Sequence, residues 1–327
     1  MLTTRIAAGM LTAGMTVLFM GTACGQSPSS GSAQAFPEKP VRLIGSLPGG
    51  GSDLIMRLIA PSLRNTLGQP VIIENRPVFL LGEIGSKTPP DGYAMFVVGT
   101  SFMIGHLLRE TTWDPLRDFA PVTLADAGPG VLIVHPSLPV KSVRDLIALA
   151  KSKPGQLNYA SGPPGSAAHL AAELFKGIAG VNLVWVPFKS QGLGIVSMMT
   201  GETQVMLNSA AGTTPFMKSG QVRALAVTTA QPSPLLPGLP TLASSGVPGY
   251  ESLQTDAVVV PAKTPAAIIS RLNQEVVRAL NLPEVKEALM NTGVVVVGNS
   301  PEEFGKFMKA EVVKWGKVIK DAGIKAE

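Results

Sequence analysis

The sequence contains few of the residues that metal and disulfide sites use. Among 327 residues there is one cysteine, Cys24, and there are three widely separated histidines, His106, His135 and His169. A single cysteine excludes a disulfide within the chain and also excludes a cysteine-rich zinc or iron–sulfur site. We therefore expect neither a metal centre nor a cofactor.

Charged residues are also scarce. They make up 15% of the chain, against about 25% in an average protein. The formal net charge is +5, and no two basic residues are adjacent. Nucleic-acid binding normally requires a concentrated basic surface, so we expect no nucleic-acid partner. With 45% hydrophobic residues, 35 glycines and 28 prolines, the chain is typical of a compact α/β protein with many tight turns, and its length favours two domains.

The motifs of several enzyme classes are missing. The sequence has no G-x-S-x-G nucleophile elbow, no H-E-x-x-H zinc motif and no G-x-x-x-x-G-K-[ST] phosphate loop. Together with the isolated histidines, this favours a protein that is not an enzyme. An active site assembled from scattered residues is the alternative that one sequence leaves open.

The N-terminal segment predicts export. Residues 1–23 form a secretory signal peptide, whose apolar stretch Ile6–Met20 is shorter than the ~20 residues of a membrane-spanning helix. Cys24 follows this stretch and begins a Ser/Gly-rich linker, residues 24–35, which resembles a lipoprotein attachment site with Cys24 as the lipidated residue. Cleavage after Ala35 is the alternative. Both predict a periplasmic protein, and the first adds a membrane anchor through Cys24.

Beyond residue 40, strand-length apolar runs alternate with segments of helical period, which predicts parallel sheets covered by helices on both faces. Two Pro- and Gly-containing stretches, 125–129 and 231–249, are candidate crossings between domains. They divide the chain into a discontinuous first lobe, residues 36–135 plus 250–327, and an inserted second lobe, residues 136–249. A ligand would bind between the lobes, at the carboxyl ends of strands.

Two strand-to-helix turns could contact such a ligand. The first, Pro48-Gly-Gly-Gly-Ser-Asp53, could hold an anion such as a carboxylate by its backbone N–H groups, or Asp53 could simply cap the following helix. The second turn follows the strand that ends at Ser161, and Ser166 could cap a helix that carries His169. We expect His169 to be structural, because no nucleophile can be paired with it.

Several motifs occur in an order typical of one family. They include F-P-E-K-P-V-R-L-I, P-G-G-G-S-D, L-G-Q-P-V-I-I-E-N-R-P, P-D-G-Y, L-N-Y-A-S-G and W-G-K-V-I-K. From about Phe36 to the C-terminus the chain resembles the extracytoplasmic receptors of tripartite tricarboxylate transporters, the Bug proteins. The resemblance implies a class II periplasmic binding-protein fold, with two α/β lobes joined by a hinge. It implies capture of a di- or tricarboxylate or a related acid, delivery to the transporter's membrane permease subunits, no catalysis, and a monomer.

The resemblance also implies which residues bind the ligand. They lie in the first turn, after the third strand, in the second turn and after the strand at 204–207. The predicted set is Gly49, Gly50, Gly51, Ser52, Asp53, Thr100, Ser101, Ser161, Gly162, Gly165, Ser166 and Asn208.

The sequence departs from the family pattern in two places. Where the family has a glycine-rich segment, this chain has the apolar Val78–Leu81, and Asn208-Ser209 replaces the family's common Asp-Asn. A smaller or less polar carboxylate is consistent with both changes. The alternative function is a surface lipoprotein that has diverged to a protein-binding or sensing role, which a large apolar patch on an exposed loop at 78–81 would favour.

Overall fold

The computed structural model describes residues 36–49 and 51–324. The predicted signal peptide, the linker with Cys24, and Gly50 of the predicted site lie outside these ranges. Within them, strands and helices alternate as the hydrophobic periodicity predicts. The strands are β1 Val41–Gly45, β2 Val71–Asn75, β3 Ala94–Gly99, β4 Phe119–Val134, β5 Asn158–Ser161, β6 Val184–Pro187, β7 Val205–Ser209, β8 Arg223–Val227, β9 Leu253–Pro261 and β10 Val295–Val296.

The helices cover both faces of the sheet. They are α1 Gly51–Leu67, α2 Val78–Ser86, α3 Thr100–Leu108, α4 Val143–Ser152, α5 Ala167–Ala179, α6 Gln191–Thr200, α7 Ala210–Lys218, α8 Ala266–Leu280, α9 Pro283–Asn291 and α10 Pro301–Ala322. The segment at 78–81 is therefore helical rather than a loop. Val78 and Phe79 in α2 are exposed, whereas Leu81 is fully buried.

The strands follow the order β2-β1-β3-β9-β4-β7-β5-β6, and β8 and β10 also pair with β4. The prediction of parallel sheets was wrong for the middle of this order. The pairs β1–β2, β1–β3, β5–β6 and β5–β7 are parallel, but β9 is antiparallel to both neighbours, and β4 is antiparallel to β7, β8 and β10. Strands β4 and β9 are antiparallel to each other, and the parallel strands of the two halves therefore point in opposite directions. Apolar periodicity cannot reveal the direction of a strand.

Strand β4 connects the two halves of the sheet. Its residues 119–129 pair with β9, and residues 130–134 pair with β7 and β8. The stretch 125–129, predicted as a crossing, is thus part of a continuous strand. We call the half with β1, β2, β3 and β9 the first lobe, and the half with β5 to β8 the second lobe. The exact boundaries predicted from the sequence remain a prediction.

Each lobe has an apolar core. In the first, Ile55, Ile59 and Leu63 occupy one face of α1 at four-residue spacing and pack with no exposed surface against the strands. In the second, Tyr159 and Phe175 pack in the same way between β5 and α5. Burying each such side chain stabilises the fold by about 1.5–3 kcal/mol. The strand ends that face the other lobe are thereby held in fixed positions.

Candidate functional site

A cavity of about 790 Å³ lies between the two lobes. Its walls come from the N-terminus of α1, the middle of β4, the start of β9, the N-terminal ends of α6 and α7, and the turn between α9 and β10. The lining includes Gly49, Gly51, Asp53, Arg57, Asp126, Pro129, Gln191, Ser209, Gln254, Asp256, Thr292 and Val294. Its volume falls within the usual range of small-molecule sites, about 300–1,000 Å³.

Asp53 holds the first turn together. Its Oδ2 accepts hydrogen bonds from the backbone N–H of Gly49 at 3.1 Å and from Arg57 Nε at 3.0 Å, and its Oδ1 accepts one from Asn75 Nδ2 at 2.9 Å. The Arg57 hydrogen bond is the largest cause that lowers the pKa of Asp53 to about 2. Gly49 has a φ of +89°, which a residue with a side chain would adopt only with strain. The carboxylate of Asp53 thus bonds to its own turn while one side faces the cavity.

A second carboxyl group, that of Asp256, lies against the first turn. A Cβ atom placed on Gly51 would overlap the Oδ2 of Asp256. Gly51 is the first residue of α1, so this carboxylate occupies the region near the helix N-terminus where an anion is favoured. The backbone N–H groups of this turn are predicted to hold the ligand's carboxylate. Two carboxylates of the protein itself, those of Asp53 and Asp256, already lie at the same turn.

Asp126 faces Asp256 across the sheet. The two residues are direct partners in the register of β4 and β9, and the backbone N–H of Asp256 donates to Asp126 Oδ1 at 3.1 Å. Asp126 is 2% exposed, and Asp256 is partly buried. Burial raises the pKa of Asp126, and the charge of Asp256 raises it further; burial likewise raises the pKa of Asp256. The cavity wall thus carries two neighbouring carboxyl groups that resist ionising together.

The sequence analysis did not identify this pair. Each aspartate interrupts an apolar strand, in Ala125-Asp126-Ala127 and in Thr255-Asp256-Ala257, and a lone charge in a buried strand is a signal that sequence reasoning could use. Their pairing could not be deduced, because it depends on the antiparallel register of β4 and β9.

The second lobe contributes two helix N-termini to the walls of the same cavity. Ser190 caps α6 by accepting a hydrogen bond from Leu193 N–H, and Ser209 caps α7 by accepting one from Gly212 N–H. Gln191, the first residue of α6, lines the cavity beside Ser209. The partial positive charge at a helix N-terminus favours anions. The two sides of the cavity therefore differ in electrostatic character.

Asn208, a predicted site residue, is 3% exposed, and its Oδ1 atom has no hydrogen-bond partner among the described residues. It lines a void of about 10 Å³ together with Thr228, Ser252 and Gln254. Gln254 also lines the large cavity. Asn208 thus lies next to the cavity and retains a free acceptor.

The second turn has a different environment. Ser161 is fully buried, and its Oγ accepts a hydrogen bond from Trp185 Nε1 at 2.7 Å. Gly165, with a φ of +73°, donates its N–H to His169 Nδ1 at 3.1 Å, and His169 stacks on Trp185 with ring centroids 4.1 Å apart. Ser166 caps α5 as predicted. These bonds support the structural interpretation of His169.

The two glycines of this turn are tightly packed. A Cβ on Gly162 would approach Ser166 Oγ to 2.9 Å, and one on Gly165 would overlap Leu108 of α3. The four predicted residues of the second turn, Ser161, Gly162, Gly165 and Ser166, therefore contact each other and the first lobe, and they do not appear in the walls of the large cavity.

Three further predicted residues also lie outside these walls. Ser52 is buried and its hydroxyl bonds to that of Ser46, Thr100 is buried and its Oγ1 lies 3.0 Å from Thr255 Oγ1, and Ser101 is exposed. The structure brings Gly49, Gly51 and Asp53 to the cavity. The assignment of ligand contacts remains a prediction for every member of the set.

The described part of the chain contains no cluster of three or more side chains suited to hold a metal ion. Over residues 36–49 and 51–324, no helix combines the length and the apolar character needed to cross a membrane.

Comparison with known proteins gives consistent matches. Residues 55–324 match the family described as tripartite tricarboxylate transporter family receptor. Protein BugT of Bordetella pertussis is 31% identical over 316 residues, which cover 94% of this chain and 96% of BugT. A solved structure of Rpa4515 from R. palustris with adipate is 35% identical with a TM-score of 0.74, covering 89% of this chain and 99% of that chain.

A second solved structure, MatC from Rhodopseudomonas palustris with bound malate, is 25% identical with a TM-score of 0.71 and covers 87% of this chain and 100% of that chain. These likenesses confirm the predicted α/β fold of a two-lobe periplasmic binding protein.

Proposed function

This chain belongs to the tripartite tricarboxylate transporter receptor family, and we propose that it binds a small organic acid in the cavity between its two lobes. The family is a class of solute-binding receptors rather than enzymes. The resemblance deduced from the sequence motifs is thereby confirmed.

The observation that carries the proposal is the cavity of about 790 Å³ between the lobes. Two similar proteins were solved with the dicarboxylates adipate and malate, which are small enough for a volume of this size. On the second lobe, the N-termini of α6 and α7 supply N–H groups and positive dipole ends that favour a ligand carboxylate. Charge-assisted hydrogen bonds of this type are roughly twice as strong as neutral ones.

The proposal extends to the protein's place in the cell. It acts in the periplasm as a monomer, held to a membrane through a lipidated Cys24 if that residue is modified, and it passes its ligand to the membrane permease of a tripartite transporter. Residues 36–135 with 250–327 form one lobe and residues 136–249 the other. The lobes close on the ligand by a hinge motion, as such folds commonly do.

The direct test is the melting temperature of the purified protein with adipate, malate and citrate. A ligand at about one hundred times its dissociation constant stabilises the folded state by about 2.7 kcal/mol, which corresponds to a shift of roughly 5 °C for a chain of this length. Absence of a shift with every small acid tested would contradict the proposal.

A variant pair locates the site. Gln191→Trp places a large side chain in the cavity wall and should abolish the shift, since Gln191 lines the cavity. Gln221→Trp is the matched control on an exposed position and should retain it. Equal shifts in both variants would place the ligand elsewhere.

A further inference from the structure

The large cavity has more carboxyl groups than basic side chains in its walls. Asp53, Asp126 and Asp256 all line it. Arg57 is the one basic side chain among the described lining residues, and it already forms an ion pair with Asp53 at 3.0 Å. The side of the cavity formed by the first lobe therefore carries three carboxyl groups and one guanidinium group.

The pair Asp126–Asp256 is the centre of this acidic wall. Like charges at directly opposite positions of an antiparallel pair destabilise a sheet. In the part of the chain that the structure describes, the only hydrogen bond to either side chain is the one that Asp126 Oδ1 accepts from the backbone of Asp256. The remaining carboxylate oxygens thus have no hydrogen-bond donor among the described residues.

An independent observation points to the same kind of ligand. Asn208 is 3% exposed, and its Oδ1 is a buried acceptor without a partner among the described residues. It borders a small void that Gln254 shares with the large cavity. A buried acceptor without a donor destabilises the folded protein. A ligand rich in N–H groups, directly or through one water, would satisfy both this amide and the carboxylates.

We propose that the solute carries a protonated amino group, which binds between the side chains of Asp126 and Asp256, while its carboxylate binds at the N-termini of α6 and α7. This inference rests on the proposed receptor function and specifies the ligand class as zwitterionic. An ammonium group offers three donors and no acceptor, which matches the acidic wall. The helix N-termini beside Gln191 and Ser209 match the carboxylate.

The two ends of the cavity also fix the orientation of the ligand. The acidic pair lies on β4 and β9 of the first lobe, and both helix N-termini belong to the second lobe. A zwitterion therefore contacts both lobes with complementary charge, whereas a dicarboxylate would place one of its carboxylates against Asp126 and Asp256.

The test is a series of molecules of equal length. Adipate, 6-aminohexanoate and hexamethylenediamine have two carboxylates, one of each group, and two ammonium groups; succinate, 4-aminobutanoate and putrescine form the shorter series. Isothermal titration calorimetry at neutral pH, in the presence of EDTA, measures each dissociation constant. We expect the amino acid of at least one series to bind about tenfold or more tightly than its dicarboxylate.

Variants connect this preference to the pair. Asp126→Asn and Asp256→Asn each replace a carboxyl group by an amide of the same shape that cannot become negatively charged, and each should weaken binding of the preferred amino acid about tenfold or more without weakening the dicarboxylate. Glu110→Gln, which removes a charge from an exposed position, is the control and should leave binding unchanged. Circular dichroism confirms that each variant is folded.

The outcomes separate this inference from the receptor function. Tighter binding of adipate or succinate than of the matching amino acid, unaffected by either variant, would overturn the inference and leave the receptor function standing. Dicarboxylate binding that appears only when a divalent cation replaces EDTA would also overturn it, since the pair would then hold a metal ion. Absence of binding by every molecule in both series, and by malate and citrate, would overturn the receptor function and the inference together.

Discussion

The two strand-to-helix turns of this protein have similar sequences and different environments. Each follows a parallel strand, contains a glycine with positive φ and leads into a helix. The first turn lines the large cavity and is held by the carboxylate of Asp53. The second packs against Leu108 at Gly165, and its Pro164 lines a separate cavity of about 480 Å³ together with the stacked rings of His169 and Trp185.

The difference arises from residues remote in sequence. Asp256 reaches the first turn from β9, and Leu108 reaches the second from α3. Residues within each turn determine its backbone shape, while these distant side chains determine which of its residues are covered. The comparison teaches that a turn's local sequence does not determine which cavity the turn borders.

The largest expected difference between the turns is in the dependence of stability on pH. The raised pKa values of Asp126 and Asp256, caused mainly by burial, mean that the folded protein binds protons more tightly than the unfolded chain. The stability these carboxyl groups contribute is complete below the ordinary aspartate pKa of about 3.9 and is lost as the pH rises through the raised values. Between the ordinary and the raised pKa, the free energy of unfolding falls by about 1.4 kcal/mol per pH unit for each group that is protonated in the folded protein and ionised in the unfolded chain.

The second turn should show the opposite trend. Burial lowers the pKa of His169, so its contribution is complete above the ordinary histidine pKa of about 6.5 and is lost as the pH falls through the lowered value. Urea unfolding across the pH range measures both. Asp126→Asn should flatten the loss on the alkaline side, and His169→Gln the loss on the acidic side. Identical pH profiles for wild type and both variants would remove this distinction between the turns.

The next largest effect concerns the glycines with positive φ. Gly165→Ala combines a strained backbone with overlap against Leu108, and it should lower the free energy of unfolding by about 2–3 kcal/mol. Gly49→Ala has the same backbone strain but nothing within 4 Å of the new Cβ, and it should cost about 1 kcal/mol. Chemical denaturation gives both values.

A double mutant isolates the packing contribution. In a Leu108→Ala background, Gly165→Ala should cost about as much as Gly49→Ala does in the wild type, because the overlap is gone. If the two glycine substitutions already cost the same in the wild type, Leu108 does not restrict the second turn.

A smaller effect is expected at the anchor of the first turn. Asp53→Asn retains the shape of the side chain but loses its charge and weakens the hydrogen bonds with Gly49 and Arg57, so it should lower the free energy of unfolding at neutral pH by about 1–2 kcal/mol. Because the pKa of Asp53 is lowered, the stability it contributes is present above about 3.9 and disappears as the pH falls through about 2. The variant and the wild type should therefore converge in strong acid, and a constant difference at all pH values would argue against this role.

The smallest effect is expected at the helix cap of the second turn. Ser166→Ala removes the side-chain oxygen that accepts a hydrogen bond from His169 N–H and should cost about 1 kcal/mol. Ser166→Asp restores an acceptor and should recover most of the loss. Thermal unfolding of the three proteins measures this, and an Asp variant no more stable than the Ala variant would contradict the capping role.

Much of the fold follows from the sequence, because burial imposes a period on each element. The four-residue spacing of Ile55, Ile59 and Leu63 predicts α1, and the apolar run around Phe96 predicts β3. The direction of β4 and β9 could not be predicted, since an apolar strand has the same pattern in either direction. The helical state of 78–81 was missed because the expectation of a loop came from the family's glycine-rich segment rather than from these residues.

The candidate site was less predictable than the fold. Gly49, Gly51 and Asp53 were found because a glycine-rich turn before a helix is a local signal. Asp126 and Asp256 were not, because their partnership depends on a strand register set by tertiary structure. A cavity is lined by residues from several helices and strands. The sequence around each of these residues is too ordinary to show that they line one cavity.

The overlap between a side chain at position 51 and Asp256 restricts the order in which these positions can change. Asp256 can be replaced by a smaller residue while Gly51 stays, and the space so released then admits alanine at position 51. The reverse order passes through a protein in which the new methyl group and the carboxylate compete for one volume. In a library that randomises both positions, selection for folded protein should therefore recover alanine at 51 mainly together with glycine, alanine or serine at 256. Frequent recovery of alanine at 51 beside aspartate at 256 would show that the carboxylate can move away freely.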